Sequence, residues 1–169
     1  MTVAALIITT GTLGDDRPLA RLVDAAWSGG AHPILVSGLA AGTEPPTPAR
    51  RTTANDPVAA LADACGQVQG TSAIILLPYS HAGIDPESIT TLIAAHGRAP
   101  AALLTAAHEG QAGPVRLLPD GVAGDGASQL VETGDEAAVT ASNGSARLNY
   151  DAPPADRDTV DPWEQRGES

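Results

Sequence analysis

"IILLPYSHAGIDPESITTLIAAH", residues 74–96, decides how the chain folds. An apolar run, Ile74 to Leu77, stops at Pro78, as a strand buried on both faces would. Asp85-Pro86-Glu87-Ser88 then opens a helix that the pattern carries to about Gly97. An aspartate before the first turn accepts backbone N–H groups, and a proline inside that turn forfeits no helical bond. Between strand and helix stand Tyr79, Ser80 and His81. In an open α/β sheet, the carboxyl end of a strand is where ligands bind. These three side chains are therefore the first place to look for chemistry.

The same alternation extends outward in both directions. Val3–Thr9 reads as a strand, Pro18–Ser28 as a helix closed by Gly29-Gly30, and Pro33–Ser37 as a second strand. A Pro- and Thr-rich loop, Gly38–Ala54, follows. Asp56-Pro57 then repeats the start signal for a helix over Pro57–Val68, which leads into the strand Ala73–Leu77. Ala101–Ala106 reads as a fourth strand. Beyond Ala107 the pattern loosens, leaving a short strand at Val115–Leu118 and a last one at Ala146–Tyr150. Strands alternating with helices of this length predict a three-layer α/β/α sandwich around a mostly parallel, Rossmann-like sheet. Residues 1–150 form one domain in this reading, and the acidic, Pro-rich tail 151–169 packs on it.

Composition narrows the partners. Hydrophobic residues make up 43% of the chain but aromatics only 2%, with no Phe, so the core must be aliphatic. Lysine is absent, and the formal charge is -11. That charge argues against a nucleic-acid binder, which needs clustered cations. A single nucleotide is another matter, because backbone amides can hold its phosphates. The single cysteine, Cys65, rules out a disulfide within the chain and reads as a packed thiol. Met1–Thr10 lacks the basic start and cleavage pattern of a signal peptide. No apolar run approaches the roughly 20 residues that span a bilayer. The expectation is a soluble cytoplasmic protein without a membrane partner.

An ordered series of segments carries a family resemblance. "RPLARLVDAAWSGGAHPILVSG" (17–38), "NDPVAALADAC" (55–65), "LLPYSHAGIDPESITTLIAAH" (76–96), "EGQAGPVRLLP" (109–119), "GDEAAVTA" (134–141) and "TVDPWEQ" (159–165) resemble, in order, the MobA/MocA-like nucleotidyltransferases, which attach a nucleotide to molybdopterin. The resemblance covers nearly the whole chain. It implies a hairpin in 109–119. It also places a nucleotide over Thr9, Thr10, Gly11, Thr12 and Gly14, with Ser80 and His81 opposite, and a metal at Asp161. Mg²⁺ is the cofactor implied if the chain is active.

The departures from that family bear on activity. The family's first loop holds glycines, an arginine and a lysine that neutralise charge developing at the α-phosphate. Here "ITTGTLGDDRPL" (8–19) is shorter and keeps Gly11 and Gly14, but it puts Asp15 and Asp16 where cations are wanted. Ser80 stands where the family has a metal-holding aspartate, and a neutral hydroxyl is a far poorer Mg²⁺ ligand. Gly113-Pro114 lacks the family's intervening histidine, and Thr159 replaces an acid preceding Asp161. The losses fall in separate elements and point to a kept fold with weakened or lost nucleotidyl transfer.

Each candidate also has a plain structural reading. Gly11 and Gly14 suit a tight turn, and Asp15-Asp16 suit a helix cap. Trp163 suits an anchor for the tail, and Arg50-Arg51 a solvated loop face or a phosphate contact. Ser80 and His81, as neighbours on an extended chain, should point apart and form no catalytic pair. Three functions remain open: a degenerate family member binding a small ligand or partner, an active CTP- or GTP-dependent transferase using Mg²⁺, and a scaffold subunit acting as a homodimer or with an enzyme.

Overall fold

The computed structural model describes residues 2–11, 17–40, 42–52, 72–119 and 128–140. The expected helix over 57–68, the strand over 146–150, the tail, Thr12, Gly14, Asp15, Asp16, Cys65, Asp161 and Trp163 lie outside them.

β1 (Val3–Gly11) lies inside the sheet. β2 (Ile34–Leu39) pairs with it in parallel on one side, and β4 (Ala73–Pro78) pairs in parallel on the other. The aliphatic runs of these strands are buried on both faces, as parallel strands require. β3 (Arg50–Arg51) extends the sheet beyond β2. β5 (Leu104–His108), β6 (Gln111–Pro119) and β7 (Gln129–Glu132) complete a seven-stranded sheet in the order β3-β2-β1-β4-β6-β5-β7. Among the described strands, only β6 runs against its neighbours, β4 and β5.

Among the described residues, two helices cover one face. α1 (Arg17–Ser28) buries Leu19, Leu22, Val23 and Ala26, and α2 (Pro86–Arg98) buries Ile89, Leu92 and Ala95. They join Val3, Ala5, Ile7, Ile34, Val36, Ile75 and Leu77 in one core. Gly29, after α1, lies so close to α2 that a side chain there would strike Ile89 and the Pro86 carbonyl. On the opposite face Ala4, Leu6, Leu35 and Ile74 form a second buried cluster, so both faces of the sheet are covered.

The structure departs from the expected elements in four places. The fourth strand starts at Leu104, because Ala101 and Ala102 belong to the turn leaving α2, where Ala102 N–H donates to Ala99 O at 3.0 Å. The short strand at 115–118 is a nine-residue antiparallel strand. A two-residue turn makes it so: Glu109 and Gly110 both have positive φ, 51° and 81°, which matches the right-handed twist of a hairpin. β7 arises in a stretch without clear strand periodicity; it forms by parallel pairing with β5. β3 lies inside the Pro- and Thr-rich segment read as loop.

Candidate functional site

The chain leaves β1 for β2 and β3 on one side and returns to β4 on the other. That reversal opens a crevice beyond the carboxyl ends of β1 and β4, the usual ligand position of an open α/β sheet. Ile8 pairs with Pro78, so the segments that follow, Thr9–Gly11 and Tyr79–His81, are brought side by side. The tertiary structure thus places two of the sequence-derived groups at one edge.

The end of β1 is bulged. Ile8 pairs with Ser37 and Gly11 with Leu39, so Thr9 and Thr10 together oppose Gly38. Such an extra residue re-aims the side chains around it. Thr9 turns into the sheet: it is 3% exposed, and its hydroxyl donates to the Ser37 carbonyl at 2.7 Å. Gly38 makes room for this arrangement. Its φ is +85°, and a Cβ there would collide with the Thr9 carbonyl oxygen. The Thr9 hydroxyl therefore ties the end of β1 to β2.

After β2, Arg51 holds the chain in place. Its guanidinium donates to the carbonyls of Thr43 at 2.9 Å, Leu39 at 3.2 Å and Ala40 at 3.4 Å. Neither expectation for the arginine pair describes Arg51; it organises the loop beside the crevice, while Arg50 is exposed. A planar fork of donors suits several carbonyls at once, and nothing in the sequence spacing signals it.

Tyr79–His81 form one turn of 3₁₀ helix directly after β4. The expectation that Ser80 and His81 point apart is overturned. The Ser80 hydroxyl lies 2.8 Å from Nδ1 of His81. That expectation rests on an extended chain with side chains on opposite faces, whereas in a 3₁₀ turn neighbours are only about 120° apart and can meet. Tyr79 and His81 are buried and Ser80 is half-buried.

A second polar network fixes the start of α2. Asp85 accepts from the Ser88 N–H at 3.1 Å, the cap that the sequence announces. Asp135, the second residue of "GDEAAVTA" (134–141), accepts from the Asp85 N–H at 2.9 Å and the Ser88 hydroxyl at 3.1 Å. Its other oxygen takes the Ala137 N–H at 3.0 Å. Both carboxylates thus serve as caps.

The described residues do not suit a Mg²⁺ ion. Such a cation wants carboxylate oxygens, and the end of β4 offers a hydroxyl turned to an imidazole nitrogen. Among the described residues, no three His, Cys, Asp or Glu side chains gather as ligands. Also among them, no helix is long and apolar enough to cross a membrane.

No family model matches the chain, and no curated protein does. Its likeness to solved structures is clear. Rv0371c from Mycobacterium tuberculosis is 14% identical with a TM-score of 0.60, over 79% of this chain and 87% of that one. A complex of Rv0371c with manganese gives 15% identity and a TM-score of 0.60, over 79% and 88%. The 2-C-methyl-D-erythritol 4-phosphate cytidylyltransferase of Thermus thermophilus is 17% identical with a TM-score of 0.56, over 82% and 91%. At these identities the likeness is one of fold. The chain has a nucleotidyltransferase-like α/β fold.

Proposed function

We propose that the chain is a degenerate MobA-like protein that binds a nucleotide or similar small ligand beyond β1 and β4 without efficient nucleotidyl transfer. One observation carries the reading: the residue at the strand end is Ser80, whose hydroxyl meets His81, in the position where the resembled family has a metal-holding aspartate. The absence of lysine from the chain supports it, since a triphosphate poised for attack needs cations or metal around it. So does the shape of the β1 end, where the Thr9 hydroxyl is turned to the sheet.

An active, Mg²⁺-dependent CTP or GTP transferase is the second reading. The manganese complex of Rv0371c favours it, because a protein of this fold binds a divalent ion. Asp161 and the Asp15-Asp16 pair would then supply the carboxylates.

Calorimetric titration with CTP and GTP, with and without Mg²⁺, together with a pyrophosphate-release assay, separates the two. Binding without turnover, indifferent to Mg²⁺, is expected. Mg²⁺-dependent micromolar binding with turnover overturns the degenerate reading. Ser80→Asp is expected to introduce Mg²⁺-dependent affinity. Asp161→Ala is expected to leave affinity within about tenfold, or about 1.4 kcal/mol.

A further inference from the structure

The amino ends of β1 and β4 carry a separate polar contact. Ser72, just before β4, donates its N–H to the Thr2 carbonyl at 2.8 Å and its hydroxyl to the same oxygen at 3.2 Å. The hydroxyl also lies 2.9 Å from Nε2 of His96 in α2. A hydroxyl that donates to Thr2 can only accept from His96. In that arrangement the neutral imidazole carries its proton on Nε2 and Nδ1 is a bare acceptor; in either tautomer the imidazolium carries an Nδ1–H. That Nδ1 is buried without a hydrogen-bond partner, in a residue only 1% exposed.

We propose that His96 is an acid-sensitive clamp: neutral, it ties α2 through Ser72 to Thr2, and protonated at Nδ1 it loosens α2 from the amino ends of β1 and β4. Protonation adds a charge and an N–H donor with nothing to receive it, and a buried unpaired donor is costly. Among the described residues no ion pair with His96 offsets this. On the elements packed against α2, the described charged or titratable side chains are Arg17, Arg21 and Asp24 of α1, His108 of β5, Arg116 of β6 and Glu132 of β7. None of them pairs with His96, and neither do Glu87 and Arg98 of α2 itself.

Burial accordingly lowers the imidazole pKa from its ordinary 6.5. With the folded value below the unfolded one, the folded state binds fewer protons. The clamp is at full strength above the ordinary value and weakens as the pH falls below it.

The test is hydrogen exchange of the full chain, corrected for intrinsic rates, at about pH 7.5 and about pH 5.5, on either side of the ordinary imidazole value. Protection of the amides in 92–98 is expected to fall at least threefold, up to about tenfold, on acidification. In His96→Gln, whose amide does not titrate, the same amides are expected to change less than twofold. Equal pH dependence in the two proteins overturns the proposal. An NMR titration of the wild-type His96 ring decides the matter even if the variant fails to fold: a folded-state midpoint at or above the ordinary value overturns it, and a depressed one supports it.

Discussion

The two ends of the β1–β4 pair are built on different principles. At the carboxyl ends a bulge, a positive-φ glycine and a 3₁₀ turn bend the backbone, and the Thr9 and Ser80 hydroxyls point to partners within the protein. At the amino ends the strands are regular, and one histidine nitrogen is left without a partner. Special geometry thus sits at the end where open α/β sheets usually bind ligands, and the proposed titratable weak point sits at the other end. The first end depends on shape, the second on protonation state.

Four substitutions probe the difference between the two ends. The largest effect is expected at Gly38→Ala, which adds a Cβ against the Thr9 carbonyl in a left-handed conformation. About 3 kcal/mol of stability should be lost, read from urea unfolding. Thr9→Val keeps the shape and removes the buried donor to Ser37, and about 1.5 kcal/mol is expected. At the amino end, Ser72→Ala breaks the link between Thr2 and His96 and should cost about 1 kcal/mol near neutral pH. Ser80→Ala is the smallest, about 0.5 kcal/mol or less, because the side chain is half-buried. A loss at Ser80 as large as that at Gly38 would show that the turn holds the fold together rather than serving a ligand.

Legibility along the sequence follows the locality of the interactions. Asp85-Pro86 announces α2, and its cap is the one found. The apolar runs of β1, β2 and β4 stand within two residues of where periodicity puts them, because burial on both faces leaves no polar alternative. The Arg51 contacts with Leu39, Ala40 and Thr43 were not legible, since they depend on how a loop folds back on itself. The meeting of Ser80 with His81 was misread for a similar reason: the backbone there turns where the sequence alone suggested extension. The pairing of Asp135 with α2 joins residues about fifty positions apart, and no local pattern carries that information.

By itself, the sequence determined the class of fold, the aliphatic two-sided core and the strand-turn-helix unit in which Tyr79, Ser80 and His81 stand between β4 and α2. These follow from hydrophobic periodicity and capping, which act over a few residues. Only the tertiary structure decided the reversal of strand order beside β1, the antiparallel course of β6, the inward turn of Thr9 and the burial of His96. Each of these is settled by which distant segment supplies the partner for a backbone or polar group, and that choice is made when the chain packs.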